Sequence, residues 1–181
     1  MITDRGFIFN GRHSSEFNIY CDPASRQLIP EKRRLFTVVP GRSGSYAQED
    51  GAYNVRTESF NCWYTRQPGT DIAQQAREIA AWLSENGELR FDSEPDKYYK
   101  AYFTGAPPLA KHLLYGEFTL TFAYSPPFAF WEQQSVTLLI TGDTDVLPIQ
   151  VLGTAATPCR IIIDNIGDTT IENLRITHQH N

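Results

Sequence analysis

Residues 115–125, YGEFTLTFAYS, contain the clearest strand pattern in the chain. Phe118, Leu120, Phe122 and Tyr124 alternate there with residues that are small or bear a hydroxyl group. Successive side chains of a strand point to opposite faces, so this period of two predicts a half-buried strand. The next residues, PPFAFW, should end the strand because proline cannot extend an interior ladder.

Further runs rich in aromatic and β-branched residues predict more strands on both sides. FIFNG at 7–11 closes on an Asn-Gly turn signal, and RLFTVV at 34–39 stops at Pro40. YNVRTESFNCWY at 53–64 predicts one long strand with Arg56, Glu58 and Phe60 on the same side. Polar residues interrupt both of its faces, which suits a sheet whose second face meets another subunit. ELRFD at 88–92 and KYYKAYFTG at 97–105 add two strands.

TDIAQQAREIAAWLSENG at 70–87 predicts the one α-helix. Either Thr70 or Asp71 can cap its first amides, and Gly87 is expected to supply a left-handed stop. The glutamines of this segment, Gln75 included, are expected on its wet side. The predicted apolar face has helical spacing and consists of Ile72, Ala76, Ile79, Ala80 and Leu83.

Composition excludes several classes of protein. The chain has 181 residues and a net charge of -5, which disfavours general nucleic-acid binding. We expect no membrane helix and no signal peptide, and therefore synthesis in the cytoplasm. Cys21, Cys62 and Cys159 are widely spaced without a CxxC motif, so free buried thiols are expected rather than a zinc site.

The basic cluster PEKRR at 30–34 predicts a solvated edge or an intersubunit salt bridge, with a DNA contact as the alternative. GRSGS at 41–45 lacks the Lys-Ser/Thr of a phosphate loop and precedes no helix, so it predicts a turn. Gly41 and Gly44 can adopt the positive φ that such a turn requires.

No combination of residues makes a positive case for an enzyme, a cofactor or a metal. Three histidines are weak metal candidates, because no acidic or cysteine partner lies at a diagnostic spacing from them. Residues adjacent in sequence do not by themselves form a catalytic triad, and solvation explains the acidic pairs in predicted loops. The residues concerned are His112, His178 and His180; His13 with Ser14 and Ser15; and Glu49 with Asp50 and Asp143 with Asp145.

The order of the segments resembles that of a known family. FIFNGRHSSEFNI, PEKRR followed by VVPGRSGSYAQEDGAYNVRTESF, AREIAAWLSENGELRFDSEPDKYYKAYF and FTLTFAYSPPFAF together resemble the N-terminal domain of siphophage distal tail proteins, often called Dit. The resemblance covers about residues 1 to 130. It implies a mainly β fold with one α-helix: a β-sandwich related to tail-tube proteins, with a projecting β-hairpin.

The resemblance also implies two domains, a ring-forming one at 1–133 and the initial strands of a galectin-like β-sandwich, truncated, at 134–181. The implied function is structural: a hexameric hub of the virion tail that joins the tail tube to tail-tip or baseplate proteins. Phage DNA would pass through its lumen without specific binding, past a wall to which the acidic segment AQEDGAY at 47–53 contributes. The protein would come from a phage or a prophage.

Matching positions are mostly architectural, and Arg42 and Arg56 are the candidates for contacts between subunits. The architectural positions are Phe9, Asn10, Gly11, Pro40, Gly41, Gly44, Trp82, Leu83, Gly87, Tyr98, Tyr99, Pro126 and Phe128. A second hypothesis is a carbohydrate-binding module for host attachment, in which Trp63, Tyr64 and Trp131 stack on sugars.

Overall fold

The computed structural model describes residues 6–22, 27, 29–66, 68–105, 116–140, 153–155, 157–158, 160–172 and 175–176. The chain divides into two compact units, Met1–Val136 and Thr137–Asn181. The described part of the first unit is mainly β with one α-helix, as predicted. Its elements are β1 (Phe7–Phe9), β2 (Arg12–His13), a 3₁₀ helix (Ser14–Phe17), β3 (Ile19–Asp22), β4 (Lys32–Val38), β5 (Ser45–Tyr53), β6 (Arg56–Tyr64), α1 (Ile72–Leu83), β7 (Gly87–Phe91), β8 (Glu94–Phe103), β9 (Glu117–Tyr124) and β10 (Phe130–Trp131).

Most strands form one antiparallel sheet in the order β2-β1-β7-β8-β9-β6-β3, with β10 beside β8. The alternation predicted for β9 is confirmed, since Phe118, Leu120, Phe122 and Tyr124 are all buried. Strands β4 and β5 form a separate two-stranded antiparallel sheet. The main sheet therefore holds the core, and the β4–β5 hairpin is a structure of its own.

The core lies between one face of the main sheet and α1. Trp82 of α1 joins the helix to the sheet side of this core. Its indole stacks on the rings of Phe17 and Phe7, with centroids 4.5 Å and 5.5 Å apart, and its Nε1 donates to the carbonyl oxygen of Phe9 at 2.7 Å. Leu83 is 2% exposed. Phe9, Trp82 and Leu83, predicted as architectural, all lie in this core.

The helix begins as predicted but ends differently. The Asp71 side chain caps it by accepting from the amides of Ala73 at 2.9 Å and Gln74 at 3.3 Å. The helix ends at Leu83 without Gly87, which is the first residue of β7. The predicted left-handed stop at Gly87 is therefore wrong.

Gly87 is required for a different reason: there is no room for a side chain at this position. A Cβ atom on Gly87 would lie 1.4 Å from Oδ1 of Asn10. Asn10 and Gly11 have φ of 49° and 76° and form the two-residue turn between β1 and β2 that the Asn-Gly signal predicts. The β1–β2 turn thus packs directly on the backbone at the start of β7.

The prediction from sequence is wrong for two positions of the helix. Gln75 is buried: its Oε1 accepts from the Tyr64 hydroxyl, and its Nε2 donates to the carbonyl oxygen of Phe17 at 3.2 Å. Ala80, predicted in the apolar face, is exposed. Gln75 can be buried because both ends of its amide have partners.

Cys21 and Cys62 form a disulfide, so the expectation of free thiols is wrong for these two residues. They lie directly opposite each other on β3 and β6 and are 3% and 2% exposed. The two cysteines are 41 residues apart in the sequence, and only the register of β3 on β6 brings them together. Cys159 lies outside the described residues.

The single strand predicted for residues 53–64 is two strands. The ladder breaks at Asn54 and Val55, so β5 pairs with β4 and β6 joins the main sheet. The amide of Asn54 donates to the carbonyl oxygen of Glu31 at 2.8 Å, which closes the base of the hairpin. The acidic segment 47–53, predicted as a loop, lies within β5.

The described residues of the second unit contain no strand or helix. Ile161, Ile162 and Ile163 are 60%, 67% and 49% exposed there. A β-strand needs a neighbour for its backbone hydrogen bonds, and the opening strands predicted in this segment are not formed in its described part. No helix among the described residues of the chain is long and apolar enough to span a membrane.

Candidate functional site

The glycine-rich stretch at 40–44 forms the tip of the β4–β5 hairpin. Gly41 and Gly44 have φ of 81° and 83°, and a Cβ on either would meet nothing within 4 Å. The amide of Arg42 donates to the carbonyl oxygen of Val39 at 3.2 Å. Glycine is needed at these positions for the positive φ and not to make room for neighbouring atoms. The turn predicted after Pro40 is confirmed.

The hairpin exposes large apolar side chains on both faces. Phe36 and Val38 are 62% and 73% exposed on one face, and Leu35 and Tyr46 are 64% and 58% exposed on the other. Isolated two-stranded hairpins are at best marginally stable in water, and contiguous exposed apolar surface marks an interaction site. We call these four residues the hairpin patch. It is the candidate functional site.

The basic cluster and the acidic segment pair with each other across this hairpin. Nε of Arg34 lies 2.7 Å from Oε1 of Glu49, Nζ of Lys32 lies 3.9 Å from Oε2 of Glu49, and Arg33 binds Asp50. The hydrogen bond from Arg34 lowers the pKa of Glu49, and the one from Arg33 lowers the pKa of Asp50. These cations are neutralised within the chain, which argues against the alternative of a DNA contact.

The two arginines predicted at a subunit interface lie in different environments. Arg42 is exposed at the tip of the hairpin, next to the hairpin patch. Arg56 is 8% exposed: its guanidinium binds Glu58 and lies 5.8 Å from the Tyr99 ring and 5.6 Å from the Tyr124 ring. Of the two, only Arg42 lies where a neighbouring subunit could reach it.

Arg56 belongs to a buried polar network around Glu58. Oε1 of Glu58 accepts from Nε of Arg56 at 2.8 Å and from the amide of Gln27 at 2.7 Å, while Oε2 accepts from the Tyr124 hydroxyl at 3.3 Å. Burial, followed by the neighbouring Glu58 carboxylate, raises the pKa of Tyr124. Opposite charges two residues apart in a strand lie side by side, and that signal could have revealed the pair from the sequence.

His13 lies between Ser15 and Asp92. Its Nδ1 is 2.6 Å from Oγ of Ser15, and its Nε2 is 3.1 Å from Oδ1 of Asp92, a partner 79 positions away. The Ser15 amide also donates to Nδ1 at 3.1 Å, and the Glu16 carboxylate accepts from the His13 amide at the same distance. The imidazole thus caps the 3₁₀ helix and ties it to the turn after β7.

The described residues hold no group of three side chains suited to a metal ion. The weak metal candidates His112, His178 and His180, and the acidic pair Asp143 with Asp145, lie outside the described residues.

The aromatic trio considered for sugar binding is not brought to one surface. Tyr64 is 6% exposed on the core face of β6, and Trp63 lies on the opposite face, stacked on Tyr20 at 6.3 Å. Trp131 is 46% exposed on β10.

The remaining positions predicted as architectural lie in the sheet or in the segment after β9. Tyr98 stacks on Phe130 at 5.5 Å, and Tyr99 contacts Phe91 at 5.9 Å. Phe128 meets Tyr53 edge to face at 4.9 Å, and Pro126 follows the end of β9 as predicted.

Known proteins share this fold. Residues 13–124 match the phage tail protein RIFT-related domain. Among solved structures, the Dit protein of phage SPP1, described as a paradigm of hub adsorption apparatus in phages that infect Gram-positive bacteria, has a TM-score of 0.56 at 11% identity. The match covers 70% of this chain and 51% of that protein, so the chain spans about half the length of its relative. No curated protein matches the chain.

The family match includes every strand from β3 to β9 and the whole of α1. The likeness to the SPP1 Dit protein agrees with it in fold. The chain belongs to the family of phage tail proteins that carry the RIFT-related domain.

Proposed function

We propose that this chain is a structural protein of the siphophage virion tail that assembles into a hexameric ring and joins the tail tube to tail-tip or baseplate proteins. The observation that supports this most directly is the hairpin patch. Phe36 and Val38 on one face and Leu35 and Tyr46 on the other are exposed in the single chain. Burial in a subunit interface would remove this apolar surface from water.

The two apolar faces of the hairpin support assembly into a ring. A cyclic ring needs a heterologous contact, in which one surface of a subunit docks on a different surface of the next. A projecting hairpin with two apolar faces suits insertion into such a neighbour, because both faces are covered at once. Arg42 at the tip would then reach across the interface.

Other parts of the proposal rest on family resemblance. We assign residues 1–133 to ring formation and residues 134–181 to the start of a galectin-like domain. DNA would pass through the lumen without specific binding. The acidic segment 47–53 contributes less negative charge to a lumen wall than the sequence implies, since Glu49 and Asp50 are paired with arginines. The proposed role is structural, without catalysis.

The test is the native mass of the full chain in solution across a range of concentrations. A species near six times 20.6 kDa is expected. The double variant Phe36→Ser/Val38→Ser should be monomeric, while Val55→Ser, a matched change at a residue 59% exposed outside the hairpin, should keep the ring. A wild-type monomer at every concentration would contradict the proposal, and a ring that survives the double variant would show that the hairpin patch is not the subunit interface.

A further inference from the structure

The solvent-facing side of β6 and β9 is a surface of hydroxyl and amide groups. Cross-strand neighbours on this side are Ser59 with Thr121 and Asn61 with Thr119, and Thr57 continues the row on β6. All are exposed except Thr121, which is half-buried. We call these five residues the hydroxyl face. The opposite side of the same two strands forms the core.

The hydroxyl face has hydrogen-bonding capacity beyond its own contacts. Ser59 Oγ lies 2.9 Å from Thr121 Oγ1, and the Thr119 hydroxyl donates to Oδ1 of Asn61 at 3.4 Å. A hydroxyl has one donor and two acceptor sites, and an amide has two donors and an acceptor. One bond per pair leaves both donors and acceptors available, in fixed positions, to a polar ligand.

Aromatic side chains lie at both ends of this surface. Trp63 and Tyr20, neighbours on β6 and β3, stack at 6.3 Å with an interplanar angle of 22°. At the other end Tyr102, 39% exposed, is the neighbour of Ala123 on β9, which is in turn the neighbour of Thr57. Trp63 lies six steps along β6 from Thr57, about 20 Å at the rise of a β-strand. The surface is thus a polar strip with aromatic rings at both ends.

The charges around the strip decide which ligand fits it. The hydroxyl face contains no charged side chain, and Asp22 and Glu117 lie at its edge as neighbours of Asn61 and Trp63. Lys100, on the same side of β8, lies over the Phe130 ring at 5.2 Å. DNA binding depends on cations that neutralise phosphates, and the fully buried centre of a protein interface is more apolar than this surface.

A neutral glycan meets each of these conditions. Its hydroxyl groups exchange hydrogen bonds with serine, threonine and asparagine, its ring faces stack on aromatic side chains, and it bears no phosphate for the edge carboxylates to repel. We propose that the hydroxyl face, with Tyr20, Trp63 and Tyr102, binds a neutral glycan strand. This site differs from the hairpin patch and does not require that the ring form.

The test is affinity electrophoresis of the full chain in gels containing dextran or hydroxyethylcellulose, together with calorimetric titration with a hexamer of β-1,4-linked N-acetylglucosamine. Retardation or heat of binding is expected with at least one of these probes. The double variant Ser59→Ala/Thr121→Ala should bind that probe at least tenfold more weakly. Its matched control, Gln74→Ala/Glu78→Ala, removes another exposed hydrogen-bonded pair, at 3.0 Å on α1, and should bind like wild type.

Circular dichroism and the thermal midpoint must show that both variants are folded. No binding to any of the three probes would overturn the proposal, as would equal losses in the two double variants. Binding of a double-stranded DNA oligomer that weakens on Ser59→Ala/Thr121→Ala would assign the face to nucleic acid instead, and would also overturn it.

Discussion

Replacement of Arg56 by methionine should be one of the most destabilising polar substitutions in the chain. Met keeps much of the apolar stem but leaves the Glu58 carboxylate, whose side chain is 4% exposed, without its counter-ion. The amide of Gln27 and the Tyr124 hydroxyl still donate to that carboxylate. Removal of one partner from a buried ion pair costs about 3–5 kcal/mol, because the other charge stays buried.

Urea unfolding followed by circular dichroism at pH 7 measures the difference in the free energy of unfolding between wild type and Arg56→Met. The double variant Arg56→Met/Glu58→Gln removes both charges while the carbonyl oxygen of the introduced amide can still accept, so it should be more stable than Arg56→Met alone. A double-mutant cycle should therefore give a coupling energy of about 2–3 kcal/mol. A loss below about 1 kcal/mol for Arg56→Met, or additive effects, would refute the account of a buried, mutually dependent pair.

Three further changes test other parts of the fold. Gly87→Ala should lower the thermal midpoint, because the new Cβ would overlap the Asn10 side chain. Gly153→Ala, whose Cβ would make only an ordinary contact of 3.8 Å with the carbonyl oxygen of Ala155, is the control for an added methyl group, and equal stability of Gly87→Ala and wild type would count against the clash. Acid should loosen the hairpin: an arginine hydrogen bond lowers the pKa of Glu49 from 4.5, so its stabilisation is present above pH 4.5 and is lost as pH falls through the lower folded value. The protection factors of the β4 and β5 amides in hydrogen exchange should then fall below pH 4.5, and unchanged protection factors would exclude this contribution. Reduction of the Cys21–Cys62 disulfide should lower the free energy of unfolding in urea by about 2–4 kcal/mol. Cys159→Ser keeps this bond and should lose the same amount on reduction, whereas a stability of wild type that does not respond to reductant would contradict the prediction.

Local patterns predicted the strands and the helix well. The alternation of residues 118–124 and the Asn-Gly turn are local signals, each with a single good structural solution. The end of the helix was missed because Gly87 has two possible uses, a positive φ or close approach, and the second depends on Asn10, which lies far away in the chain. Only the tertiary structure decides between the two.

The candidate site was harder to predict for the same reason. PEKRR and AQEDGAY were interpreted separately, one as a possible partner surface and the other as a wall of negative charge. The register of β4 on β5 places Arg34 opposite Glu49, which removes most of the net charge of both. The exposure of Phe36 and Val38 could not be predicted either, because the sequence of an apolar strand does not show whether another layer of the protein covers that strand.

The position of the disulfide has a topological consequence. Cys21 precedes the hairpin and Cys62 follows it, so the bond closes a covalent loop that contains all of β4 and β5. A protease that cuts the exposed hairpin would produce two pieces that stay joined through sulfur. The nicked protein would migrate as one chain until a reductant separates it, and the core could outlast the loss of its most exposed part.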